Sequence, residues 1–202
     1  MSTEKAGRPE SAQGVAQHPA GLYPSAQQIK PLYGPDAITS AHLEQYKQMG
    51  FIAVERLFSS QQVADARAAL SDLIMARNAA FNQVPVESES ASSIESLTPQ
   101  QREMVVRKLM SYTAYDARLA RLLRDEQLLA TVRRLMGGRA PRCFQEMALL
   151  KPPQGREKPW HQDKAYFNID RDEPVVGVWI ALDPATTDNG CMHVIPGSHR
   201  DG

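Results

Sequence analysis

Val175-Val176-Gly177-Val178-Trp179-Ile180-Ala181-Leu182 is the strongest strand signal in the chain. It is β-branched, apolar almost throughout, and expected to be buried. Working outward, Asp188-Asn189-Gly190 marks a tight turn, Cys191 to Ile195 a further short strand, and Pro196-Gly197 a second turn. Upstream, Phe144 to Leu150 reads as a strand that Lys151-Pro152-Pro153 ends, because proline cannot sustain a ladder. The texture beyond Pro141 is therefore β.

Before Pro141 the texture is helical. Thr39 or Ser40 caps a helix carrying Leu43, Tyr46 and Met49 on one side and stopping at Gly50. Phe51 to Val54 suggests a short strand. Ser59 and Gln62 match a capping box for a second helix, with Val63, Ala66, Leu70, Leu73 and Ile74 as its buried stripe. Gln83 to Gln100 is polar and serine-rich, expected as a solvated loop. Helical spacing resumes near Gln101, with stripes Leu119/Leu122/Leu123 and Leu128/Leu129/Val132/Leu135/Met136, and Gly137-Gly138 closes the last helix. Helices first and strands afterwards predict an α+β fold, or helices packed on a sandwich. Residues 1–36, with five prolines among Ser, Gln, Ala and Gly, are expected to form a disordered arm ahead of a domain over 37–202.

Bulk composition narrows the function. Of 202 residues, 23 are Lys or Arg and 23 Asp or Glu, so no net charge argues for nucleic acid or an anionic membrane as partner. Cys143 and Cys191 are far apart and in no metal-like spacing, which fits a reducing, cytoplasmic setting better than a disulfide scaffold. Neither a signal peptide nor a run of about 20 apolar residues stands out. The basic stretch Arg102 to Arg142 reads as a solvated helix face before it reads as a phosphate site.

Chemistry concentrates in Trp160-His161-Gln162-Asp163. On an extended chain, residues two apart share a face, so the His161 imidazole and the Asp163 carboxylate converge on one ion. One neutral nitrogen and one anionic oxygen suit a borderline-hard divalent metal; with a second His they make the facial triad of Fe(II) oxygenases. His-x-Asp alone is a weak motif. His18 and His42 are expected to be uninvolved. His193 and His199, the histidines downstream, are expected to be hydrogen-bonded rather than ligating.

Context strengthens the motif. Lys151-Pro152-Pro153, His161-Gln162-Asp163, Val178-Trp179-Ile180-Ala181-Leu182-Asp183, Asn189-Gly190-Cys191-Met192 and Pro196-Gly197-Ser198-His199 follow one another in order. In this the last quarter of the chain resembles the phytanoyl-CoA dioxygenase family of Fe(II)/2-oxoglutarate-dependent oxygenases. The resemblance implies a double-stranded β-helix (jelly-roll, cupin-like) with N-terminal helices. It implies Fe(II) on His161 and Asp163, and 2-oxoglutarate, O2 and a small organic molecule as reactants. Gln162 and Trp179 are then expected to border the 2-oxoglutarate pocket, with Met147 lining it; Trp179 reads equally as a core residue. In the family a third ligand, a His, and an Arg for the distal carboxylate lie several dozen residues past the Pro-Gly-Ser-His turn, beyond Gly202. Such a fold needs about eight strands and only about four can be drawn here. The chain is therefore expected to be the N-terminal part of a longer enzyme. Two rivals are a non-catalytic binding protein that keeps the fold, and a zinc hydrolase, which needs more nearby ligands.

Overall fold

The computed structural model describes residues 27–75, 86–88, 94–152, 158–167, 169–170 and 172–200. The chain divides into two compact units, Met1–Lys30 and Pro31–Gly202, and all that follows concerns the second. Most of the expected arm, residues 83–85 and 89–93 of the expected loop, and Pro153 lie outside the described residues.

Strand β1, Leu32–Tyr33, pairs in parallel with β2, Val54–Glu55, so backbone that the proline count assigned to the arm is engaged with the domain. Between them helix α1 spans Ser40–Met49. Thr39 caps it, His42 closes the box from the third position, and Gly50 ends it at φ 84°. A positive φ of this kind strains any residue with a Cβ, and Gly50 adopts it freely. His42, expected to be a bystander, uses its ring nitrogen where a capping box ordinarily has Glu or Gln.

Helix α2, Ser60–Ile74, starts on the expected Ser59–Gln62 box. Gln62 works twice: its carbonyl accepts from Ser59 N and its amide donates to Asp125 at 3.0 Å. Asp125 in turn caps helix α5, Glu126–Leu135, accepting from Gln127 N and Leu128 N. One side chain thus aligns two helix starts.

The main sheet has three strands in the order β3 (Val86–Ser88), β4 (Val106–Met110), β5 (Met147–Leu149), all antiparallel. Two of these depart from expectation. Val86–Ser88 lies in the segment expected to be a loop, and Val106–Met110 follows directly on α3, Pro99–Val105, where helix was expected to continue. Val106 and Leu109 are both fully buried. Their spacing of three imitates a helix, but on a strand it places them on opposite faces, so β4 is covered on both sides. β5 lies within the expected strand Phe144 to Leu150.

The core gathers buried residues of α2, of this sheet and of α4, Ala117–Leu123. Ala66, Ala69, Leu73 and Ile74 meet Val106, Leu109, Leu119, Leu122 and Ala148. Small alanines and larger leucines share this cluster, the combination that fills an interior without voids. Asp116 caps α4 and is buried against Arg118, which also reaches Asp72 on α2 at 2.9 Å. Several basic side chains of the 102–142 stretch are occupied in this way: Arg102 donates to Ile94 O and Arg134 to Ile38 O.

The segments expected as strands at Val175–Leu182 and Cys191–Ile195 are not strands. Strand propensity becomes a strand only where a neighbour offers its own N–H and C=O groups. Among the described residues none forms a ladder with either segment. Nor is the first segment buried as expected: Val178 and Trp179 are 47 % and 48 % exposed, although Leu182 packs on the core.

The Arg118 guanidinium holds the Asp116 carboxyl below its ordinary value of 3.8. A carboxylate with a depressed folded pKa stabilises fully above its unfolded value, and that contribution is lost as pH falls through the lowered one. Asp116→Asn keeps a capping oxygen but loses the charge. It is expected to lower unfolding free energy by about 2 kcal/mol at neutral pH, with the difference from wild type shrinking well below pH 3.8. Urea unfolding at both pH values checks this, and equal differences contradict the ion-pair account.

Candidate metal centre

Gln162 has extended backbone, φ −113° and ψ 122°, and a 3-10 turn over Asp163–Tyr166 follows immediately. The extended residue directs its two neighbours to one side and its own side chain to the other. His161 Nε2 accordingly lies 3.3 Å from Asp163 Oδ1, while the Gln162 amide points elsewhere and donates to Ser198 O at 2.9 Å. Ala165 N→Gln162 O and Phe167 N→Lys164 O, both 3.1 Å, close the turn behind the pair.

The His161 ring is oriented from its far side. Nδ1 is 2.6 Å from Pro159 O, and a carbonyl only accepts, so Nδ1 carries the proton there. In the neutral ring Nε2 is then the free lone pair, available to a metal in the arrangement that ligating histidines ordinarily show. Tyr166 packs edge-on against the ring, centroids 5.9 Å apart. Ligand bonds of about 2.1 Å meeting at a right angle put two donor atoms about 3 Å apart. The observed separation is close to that, and one imidazole nitrogen plus one carboxylate oxygen fit a first-row divalent ion. Among the described residues no third His, Cys, Asp or Glu joins them.

Gly177 completes the immediate surroundings. A Cβ built on it would sit 3.9 Å from Asp163 Oδ2, an ordinary contact distance, so this segment passes beside the carboxylate. A glycine inside a strand-like apolar run can mark where another group passes, and this was the available clue to it. Pro159, Tyr166 and Ser198 carried no comparable signal.

Of the other candidates, Trp179 follows Gly177 by two positions on the same segment and is half exposed. Met147 lies on β5 opposite Met110, and the contacts that define the His161–Asp163 pair do not involve it. His193 stacks edge-on with Trp160 and sits 3.8 Å from Cys191 Sγ, while His199 bonds Lys47 O. Cys143 and Cys191 are both free, and burial pushes the Cys143 thiol up, away from reactivity. No helix among the described residues is long and apolar enough to cross a membrane.

The family model described as "Phytanoyl-CoA dioxygenase (PhyH)" matches residues 46–202. A phytanoyl-CoA dioxygenase domain-containing protein 1 homolog of Caenorhabditis elegans is 24% identical over 184 residues, covering 78% of this chain and 64% of its own length. An ectoine dioxygenase of Streptomyces avermitilis is 29% identical over 82% of this chain and 53% of its own. A probable alpha-ketoglutarate-dependent hypophosphite dioxygenase of Stutzerimonas stutzeri is 26% identical over 77% of this chain and 52% of its own. The chain thus spans roughly half to two thirds of the length of these relatives.

Gly177→Val would set two methyl groups against the Asp163 carboxylate. Divalent-metal affinity is expected to fall about tenfold with little change in melting temperature. Calorimetric titration with Mn(II) checks it, and unchanged affinity would remove Gly177 from the site.

Proposed function

This chain belongs to the phytanoyl-CoA dioxygenase family, and on that premise we propose that it is an Fe(II)- and 2-oxoglutarate-dependent dioxygenase hydroxylating a small organic substrate. The observation that carries the reading is the His161 Nε2–Asp163 Oδ1 juxtaposition with Nδ1 held by Pro159 O.

His161 and Asp163 bind the metal through one neutral nitrogen and one anionic oxygen. Pro159 keeps the imidazole in the tautomer that ligation needs, and Gly177 leaves room above the carboxylate. When bound, Fe(II) with 2-oxoglutarate and O2 supplies the oxidation: substrate C–H, 2-oxoglutarate and O2 give substrate C–OH, succinate and CO2. Tyr166, edge-on against the His161 ring, serves to exclude water, and Trp179 is assigned to the 2-oxoglutarate space. The carboxylate at 163 favours hydroxylation, since related halogenases carry a small residue there. The reading requires a third protein donor, which in the family pattern is a further His, carried on a double-stranded β-helix. It places the protein in a reducing compartment such as the cytoplasm, in keeping with two free thiols. The relatives named for ectoine, hypophosphite and phytanoyl-CoA chemistry differ from one another, so the proposal stops at a small molecule.

Protein purified anaerobically and given Fe(II), 2-oxoglutarate and O2 is expected to form succinate, and His161→Ala or Asp163→Ala to abolish this. Stoichiometric zinc with no Fe(II)-dependent succinate would contradict the proposal.

A further inference from the structure

Helix α1 ends with carbonyls that have no partner inside the helix, as every helix does. Gly50 N takes Tyr46 O at 2.8 Å. Lys47, Gln48 and Met49 remain. Two of these three are met from far along the chain, by the Ile195–Arg200 turn: Gly197 N donates to Met49 O at 2.8 Å, and His199 Nε2 to Lys47 O at 3.0 Å. The His199 ring lies directly on Gly50, where a Cβ would come within 2.3 Å of Nδ1. Gly50 therefore serves both the helix cap and the seat of this ring. The same turn presents Ser198 O, which accepts from the Gln162 amide.

These bonds form an unbroken path: the end of α1, His199, Ser198, Gln162, and then His161 and Asp163 on either side. The segment carrying the pair joins no sheet among the described residues, so side-chain bonds of this kind set its place against the helices. We propose that His199 is a positioning residue: by docking the turn on α1 it holds Gln162, and through Gln162 the angle between the two metal donors. This rests on the reading of His161 and Asp163 as metal ligands. It assigns to a histidine remote from the metal, and to the glycine beneath it, a role in metal affinity.

The test uses the full chain and Mn(II) alone as probe, so that 2-oxoglutarate contacts do not enter. His199→Ala and Gln162→Leu are each expected to weaken Mn(II) binding about tenfold. His199→Gln, which keeps an N–H donor, restores affinity to within about twofold of wild type. The double variant is no worse than either single one, because both break the same path. Asp116→Asn is the control for stability: it lowers melting temperature and leaves Mn(II) affinity unchanged. Wild-type affinity in His199→Ala, a loss not restored by glutamine, or an additive double variant would each overturn the proposal. If wild type binds no Mn(II), the ligand reading fails and hydrogen exchange decides the relay. His199→Ala should then still speed exchange of the Ala165 and Phe167 amides behind the pair, and unchanged exchange there overturns it.

Discussion

An extended residue at the start of a 3-10 turn governs the candidate site. Because Gln162 is extended, His161 and Asp163 lie on one side of the chain and its own amide on the other. A helical residue at 162 would rotate the two donors about 200° apart and remove the pair altogether. The same alternation gives the motif an inner and an outer face: donor atoms inward, an anchor outward. Metal chemistry and attachment to the rest of the protein are thus separated within three residues.

The scaffold that receives this anchor is built differently from the site it supports. Around α2 the structure is closely packed, with large apolar side chains excluded from water and helix starts tied by Gln62, Asp125, Asp116 and Arg118. From Lys158 onward the described chain has no strand, and single polar bonds hold it in place together with Leu182 on the core and Phe167 against Phe144. Arg67 meets Asp183, Arg139 meets Glu173, and Lys151 donates to Gly190 O. Exposed charge pairs of this kind contribute little individually. The hydrogen-bonded docking of the 195–200 turn on α1 is the more directional link. Phe144, Leu149, Val178, Trp179 and Ile195 remain largely open to solvent beside this region.

Much of this was legible in the sequence, for identifiable reasons. Thr39, Ser59, Gly50 and Gly137 announced helix ends because capping is local, decided by one side chain or one φ angle. His161 and Asp163 were legible because period-two geometry is equally local. β4 was not, since Val106 and Leu109 repeat at a spacing that a helix also uses. The Val175–Leu182 segment was over-read for the opposite reason: its composition describes an environment with a partner strand, and composition does not supply the partner. Contacts across more than a hundred residues, such as His199 on Lys47, leave no pattern in a single sequence.

The account rests on His161 Nε2 and Asp163 acting as metal donors while His161 Nδ1 keeps its proton for Pro159. Nitrogen-15 NMR of the histidine rings during titration with a diamagnetic divalent ion, then with Co(II), reads this directly. The account predicts that the His161 Nε2 resonance moves first and furthest, that its Nδ1 retains the proton, and that His42 and His199 are little affected. Saturable binding at His193 or His199 with the His161 ring unperturbed would contradict it.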